Sequence, residues 1–313
     1  MQNSDPRPDV SVLVPAFNEV ENIPELVTSL CAMFDRHRLK GEIVLVDDGS
    51  TDGTYQAAEK LARTESRLKL LRHRTNFGKT EAMLTGNAAA SSDVIVLYDA
   101  DMQHSPEEIP RFLDKISQGG CDIVCGRKVG KYSKRFISYI YNLLSRILFS
   151  VPVHDLNSMK AFRREALEEI HLRHDWHRFF VALAYNRGYR VSEIDVELLP
   201  RRHGKSKYTG AWRVMIGLLD LLSVKFLITF GRKPMTLFGS WGLVCLVLGF
   251  ITGCVALYFR YALLQGFRPL LYLVILFLLG GILLFTLGIL TELMGQLIER
   301  LERIEDSVRK DKS

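Results

Sequence analysis

Residues 93–103, DVIVLYDADMQ, hold the reading that decides the fold: a short β-branched run that stops abruptly in two acids. In an extended segment Asp99 and Asp101 point to the same side. Two carboxylates held together at a strand's end repel, unless a divalent cation neutralises them. Mg²⁺ or Mn²⁺ suits such a pair, because each takes one or two carboxylates and fills its other positions with water and substrate phosphates. The pattern recurs on the amino-terminal side of this stretch. Strands are predicted at 10–14 (VSVLV), 42–47 (EIVLVD), 68–72, 93–98 and 121–125 (CDIVC), with helices at 21–38, 52–65, 78–90 and 106–118. Such alternation predicts an α/β fold with a parallel sheet and helices on both faces. Ligands of such sheets bind beyond the carboxyl ends of the strands, so the residues just after each strand are the informative ones.

After the first strand comes the polar turn Pro15-Ala16-Phe17-Asn18-Glu19. After the second comes Asp47-Asp48-Gly49-Ser50-Thr51-Asp52-Gly53. Here an acid can accept hydrogen bonds from a base or ribose, and glycine lets backbone approach a ligand. Asp52 serves equally well as a helix N-cap, and an ordinary loop remains open. The third strand leads into Asn76-Phe77-Gly78-Lys79, which sets a lysine at a helix start beside unsatisfied N–H donors. That is an anion site, with a solvated lysine as the alternative.

Beyond residue 234 the composition changes. The whole chain of 313 residues is 48% hydrophobic and 24% charged, yet 235–291 is almost purely apolar. Met235 to Phe259 and Leu270 to Thr291 carry no charge, and each exceeds the ~20 residues a helix needs to cross a bilayer. The Arg260–Pro269 connector is short, so the two spans form a hairpin that returns the chain to its starting side. Lys225, Arg232, Lys233, Arg300 and Arg303 flank the spans, against Arg260 and Arg268 in the connector. That bias predicts a multi-pass protein of the inner (plasma) membrane with the soluble part and both termini in the cytoplasm. Residues 133–150 and 211–230 are amphipathic and suit the membrane interface, with ordinary core helices as the alternative for the first. Leu293, Leu297, Leu301 and Ile304 line one face of the tail, 292–313. This spacing permits a short coiled coil and hence a homo-oligomer, a solvated helix being the more ordinary outcome.

The net charge of +6, from 41 Lys+Arg against 35 Asp+Glu, suits membrane lipids or a phosphate-bearing substrate. Nucleic acid is not expected as a partner. Five cysteines without a CxxC pair point to free thiols in a reducing compartment. The opening MQNSDPRPDV has no apolar core of a signal peptide, so none is expected. Composition excludes disordered, fibrous and disulfide-framework classes.

Taken together and in order, VPAFNE, VDDGSTDGT, NFGK and DADMQ resemble the family-two glycosyltransferases of the GT-A fold. With the two carboxyl-terminal spans, the chain is similar to dolichyl-phosphate mannose synthase and the bacterial polyprenyl-phosphate glycosyltransferases. The resemblance implies a Rossmann-like nucleotide-sugar-binding domain over 1–210, interfacial helices over 211–234, a transmembrane hairpin over 235–291 and a cytoplasmic helix over 292–313. It implies that Pro15, Ala16, Asn18, Glu19, Asp48, Lys79, Asp99 and Ala100 form the nucleotide-binding rim, and that Asp99, Asp101 and Gln103 hold Mg²⁺ or Mn²⁺ near the diphosphate. Arg127, in Cys125-Gly126-Arg127, matches a family basic residue facing the phosphates. Arg201-Arg202-His203-Gly204-Lys205-Ser206-Lys207-Tyr208 resembles the family's basic loop, so Arg202 and Lys207 are implied in catalysis.

Many relatives read N-T-G-D-F-R-L where this chain has His154-Asp155-Leu156-Asn157-Ser158-Met159-Lys160-Ala161-Phe162-Arg163, closer to a variant with D-L-N-S, a basic residue and F-R. Asp155 is taken as the acid nearest the acceptor; a helix cap or an ion pair with Arg163 stays open. The implied reaction is inverting transfer of a hexose from a UDP-glucose or GDP-mannose type donor to undecaprenyl or dolichyl phosphate. A processive polysaccharide synthase is disfavoured, since the chain lacks a Q-x-x-R-W segment and two helices enclose no channel. A non-catalytic membrane scaffold is disfavoured by the intact acidic pair and basic loop.

Overall fold

The computed structural model describes residues 7–129, 144, 146, 148–156, 158–200, 211–230, 233–264, 266 and 268–310. The chain divides into two compact units, Met1–Leu221 and Leu222–Ser313.

Among the described residues the first unit carries seven strands: β1 (Val10–Ala16), β2 (Gly41–Asp47), β3 (Leu68–Arg72), β4 (Val94–Leu97), β5 (Ile123–Val129), β6 (Lys160–Arg163) and β7 (Val191–Glu197). They form one sheet in the order β3-β2-β1-β4-β6-β5-β7. The helices are α1 (Ile23–His37), α2 (Thr54–Ala62), α3 (Lys79–Ala89), α4 (Ile109–Ser117), α5 (Arg164–Glu168) and α6 (Phe180–Asn186). β1 and β2 each carry an unbroken apolar stretch, Val12–Ala16 and Ile43–Val46, because helices cover both faces: Val12, Leu13, Val14, Ile43, Val44 and Leu45 are all inaccessible to solvent. α1 buries Ile23, Leu26, Val27, Leu30, Cys31 and Phe34, a stripe with helical spacing. Each such side chain contributes about 1.5–3 kcal/mol by leaving water. Pro24 starts this helix, and Arg38 closes it in the left-handed conformation.

The sheet is not all parallel, and here the sequence expectation needs correcting. β6 runs antiparallel to both of its neighbours, β4 and β5, with Lys160 opposite Leu97 on one side and Cys125 on the other. The chain leaves β5 at its carboxyl end and re-enters the sheet at that same end, so the inserted strand must run backwards. The consequence is functional: Asp155, Ser158 and Lys160 arrive beside the carboxyl ends of β4 and β5, where ligands of such sheets bind.

α7 (Ala211–Phe230) is a single 20-residue helix that spans the division between the units. Leu219, Leu222 and Phe226 are exposed along it, whereas Leu221 and Val224 are buried. The amphipathic stretch 133–150 lies largely outside the described residues. In the second unit, α8 (Pro234–Tyr261) and α9 (Arg268–Lys310) form an antiparallel pair. Both are long and apolar enough to cross a membrane, over Pro234–Tyr261 and Arg268–Leu297. Their outer faces leave Trp241, Phe250, Leu276 and Leu283 exposed, which suits hydrocarbon rather than water. Their inner faces meet through glycine: a Cβ on Gly242 would stand 2.8 Å from the Phe285 backbone nitrogen and 2.9 Å from the Gly281 carbonyl oxygen. The tail expected as a separate helix over 292–313 is continuous with the second span to Lys310, because no proline interrupts the helix there.

Candidate functional site

The turns after β1 and β2 are sewn together by backbone-to-side-chain hydrogen bonds. Asn18 donates its N–H to Ser50 Oγ, and its Oδ1 accepts from the Thr51 N–H, both at 2.9 Å. Asn18 adopts a left-handed backbone with φ 53°, which asparagine tolerates better than most residues. Glu19 donates its N–H to Thr54 Oγ1 at 2.8 Å. Asp52 accepts from the Val20 N–H at 3.2 Å and from the Thr54 N–H at 3.0 Å, so it anchors the start of α2. Ala16 is buried and Pro15 half-buried behind this rim.

Asp48 is buried and engaged by protein on both oxygens. It accepts from the Phe77 N–H at 2.9 Å, from the Gly78 N–H at 2.8 Å, and contacts His73 Nδ1 at 2.8 Å. The anion at the entrance to α3 is therefore this carboxylate. Gly78 has φ 90°, a conformation that L side chains rarely adopt. Gly49 allows the two loops to touch, since a Cβ there would stand 2.4 Å from the Thr75 carbonyl carbon. Lys79, the first residue of α3, sends its ammonium to Asp99 Oδ1.

The acidic turn after β4 is held from both ends. The Tyr98 hydroxyl donates to the His104 carbonyl, and the Leu199 N–H donates to the Gln103 carbonyl at 2.8 Å. Met102 takes a left-handed backbone with φ 52°, and Ala100 is buried. Asp99 and Asp101 are only partly covered. Desolvation pushes the Asp99 carboxyl up, but Lys79 outweighs it, and the group stays ionised well below the usual carboxylate range. Among the described residues no cluster of three or more His, Cys, Asp or Glu side chains is placed to hold a metal. Two hard carboxylates with a neighbouring amide fit Mg²⁺ or Mn²⁺, cations that keep water and substrate phosphates as their other ligands.

β6 brings a second group of charges to this turn. Asp155 is buried, with Lys128 Nζ 3.6 Å from its Oδ2. Arg163 pairs with Asp122 instead. Lys160 is buried within the field of Asp99, Asp155 and Lys79, and desolvation lowers its pKa to about 8. His104 is buried with Nε2 3.4 Å from Ser158 Oγ, and desolvation lowers its pKa to about 4, so it is neutral at pH 7. His177 contacts Thr80 Oγ1 at 3.2 Å and is likewise held neutral, first by burial and then by Lys79 and Lys160.

The structure thus brings Lys79, Asp99 and Asp155 into one electrostatic neighbourhood. Arg127 is turned elsewhere: its guanidinium makes a two-pronged pair with Asp195 at 2.6 and 2.9 Å, on strand β7. The adjacent Lys128 is the basic residue that reaches Asp155. Arg202 and Lys207 lie outside the described residues. Sequence reasoning missed Lys128, Lys160, His104 and His177. A lysine opening the apolar run Ala161-Phe162 was the one available signal for Lys160.

The family described as Glycosyl transferase family 2 matches residues 11–180. The chain is 32% identical over 301 residues to the dodecaprenyl-phosphate galacturonate synthase of Rhizobium johnstonii, covering 92% of this chain and 88% of the relative. It is 30% identical over 296 residues to the undecaprenyl-phosphate 4-deoxy-4-formamido-L-arabinose transferase of Pseudomonas aeruginosa, covering 92% and 85%. In fold it is similar to glucosyl-3-phosphoglycerate synthase from Mycobacterium tuberculosis, crystallised with uridine diphosphate. That match has a TM-score of 0.56 at 21% identity, over 70% of this chain and 81% of the other.

Proposed function

We propose that this chain, which belongs to glycosyl transferase family 2, moves a sugar from a nucleotide diphosphate to a polyprenyl phosphate, with inversion at the anomeric carbon. One observation carries the reading. The antiparallel β6 sets Asp155, Lys160 and, through Lys128, a third charged group beside the Asp99–Asp101 turn, in a chain that also carries two apolar helices of membrane length. Names of relatives that align along nearly the whole chain support the acceptor class.

The acceptor is a phosphate monoester with a second pKa near ~6, so at pH 7 its oxygen is already a nucleophile. A strong general base is correspondingly less necessary. The new bond joins that oxygen to the anomeric carbon while the bond to the nucleoside diphosphate breaks, and the electron pair leaves with the diphosphate. The difficulty is electrostatic, since an anion approaches an anionic donor. Asp99 and Asp101, with Gln103 beside them, would hold Mg²⁺ or Mn²⁺, which supplies positive charge to the leaving diphosphate. Lys79 keeps Asp99 ionised and oriented. Asp155, held by Lys128, orients the acceptor, and Arg202 and Lys207 add positive charge from the basic loop. The turns carrying Pro15, Ala16, Asn18 and Glu19 form the nucleotide rim, whose shape Asp48 maintains.

The donor is a UDP-glucose or GDP-mannose type sugar nucleotide. The catalytic unit and both termini face the cytoplasm, because two crossings return the chain and the basic residues concentrate on that side. The exposed Leu219, Leu222 and Phe226 of α7 support its lying in the interface plane, where it meets the lipid phosphate. The test uses the purified full chain with undecaprenyl phosphate, Mg²⁺ or Mn²⁺ and a panel of UDP- and GDP-sugars. Lipid-linked sugar from one donor, lost in Asp101→Ala, is the expected result. Nucleotide release without any lipid product would overturn the acceptor assignment.

A further inference from the structure

Lys160 is 4% exposed, yet among the described residues its ammonium forms no hydrogen bond and no close ion pair. Its backbone lies between Leu97 of β4 and Cys125 of β5, directly beside the strand end that carries Asp99. The nearby acids already have cations: Asp99 has Lys79, and Asp155 has Lys128. Of the three lysines here Lys160 is the most deeply buried, and among the described residues it is the one whose ammonium makes neither a hydrogen bond nor a close ion pair. Close to the same acids, His104 Nδ1, in a residue 5% exposed, is a buried polar atom without a hydrogen-bond partner. A buried charge without a counter-charge is costly enough that proteins ordinarily pair it or do without it. A cation bound at Asp99 and Asp101 would offset the negative charge of those acids near Lys160.

We infer that Lys160 is an oxyanion-binding residue whose partner arrives with the substrate. The inference rests on the proposed glycosyl transfer, which supplies the oxyanions: the donor diphosphate, a carboxylate on an acidic donor sugar, or the acceptor phosphate. Lowering by burial to about 8 still leaves the ammonium largely protonated at neutral pH. An anion docking on it supplies the close counter-charge that the described residues do not.

The experiment compares the full-length wild type with Lys160→Met, Lys160→Gln and Lys160→Arg in detergent. Calorimetric titrations in the presence of Mn²⁺ with UDP, GDP, UDP-glucuronate, UDP-glucose and a short-chain polyprenyl phosphate are combined with thermal melts of the ligand-free protein. The removal of one charge-assisted hydrogen bond weakens the relevant ligand about ten- to a hundredfold in Met and Gln, and Arg restores it. Equal loss for all three UDP ligands assigns the diphosphate, loss confined to UDP-glucuronate assigns a sugar carboxylate, and loss for the lipid phosphate assigns the acceptor. The ligand-free Lys160→Met protein melts above wild type, because an unpaired buried charge has become an apolar chain of similar length. A structural lysine would do the reverse, so lower melting in both Met and Gln overturns the inference. Unchanged affinity for every probe that wild type binds overturns it as well, and leaves the glycosyl-transfer reading standing. If wild type binds none of the probes, both readings fail.

Discussion

Replacing Asp48 by alanine removes one carboxylate and disconnects three groups at once: the Phe77 N–H, the Gly78 N–H and His73 Nδ1. Alanine offers no acceptor, and the two N–H groups sit in a turn that Gly78 permits through its positive φ. A buried donor left without a partner costs about 1–3 kcal/mol, and these two are part-buried, so about 2–4 kcal/mol is expected in total. For a unit of this size each kcal/mol moves the melting temperature by about 2–4 °C, so the unit Met1–Leu221 should melt roughly 4–16 °C lower. Asp48→Asn keeps one oxygen and can serve one of the two N–H groups, and it should fall between wild type and alanine. Differential scanning calorimetry of ligand-free protein measures both. The rim seen from sequence alone makes Asp48 a nucleotide contact, which predicts lost nucleotide binding with unchanged melting. That second outcome would refute the role of Asp48 as the brace of this turn.

The same geometry sets three further expectations. Hydrogen bonds from Arg67 outweigh desolvation and hold Glu65 down at about 2 from 4.5, so the unfolded chain binds the extra proton between those values. Its stabilisation is present above pH 4.5 and lost towards pH 2; Glu65→Gln should cost about 1–2 kcal/mol at pH 7 by denaturant titration, with the gap closing in acid. Lys128→Met should reduce lipid-linked sugar formation more than Arg127→Met, because Lys128 holds the buried Asp155 whereas the Arg127–Asp195 pair is solvent-exposed and screened by water. Gly242→Leu should destabilise the helical hairpin by about 1–3 kcal/mol in detergent melts, since backbone atoms of the facing helix cannot retreat. Gly280→Leu is its control, because a Cβ there meets nothing within 4 Å.

The first five strands were legible because buried strands of a doubly covered sheet are rich in consecutive apolar residues, as in Val12–Val14 and Ile43–Val46, and the observed ends differ from expectation by a few residues. The apolar spans were legible for the same kind of reason: hydrocarbon thickness demands an uninterrupted run, and charge ends it. The acidic turn announced itself because Asp99 and Asp101 follow a strand directly. β6 gave no such warning. Four residues, Lys160–Arg163, are too few to show a period, and their direction depends on where the preceding connection brings the chain back. Neither could local pattern separate Arg127 from Lys128, since neighbours on a strand point to opposite sides and the choice is made by what β7 and Asp155 present. The same holds for Asp48, whose partners are backbone groups some thirty residues later, and for Lys160, whose burial is created by β4 and β5 closing on either side. Composition and periodicity are properties of neighbours along the chain, and they settle which elements form. The pairing of charges depends on distances across the sheet, which exist only once the strands have been ordered.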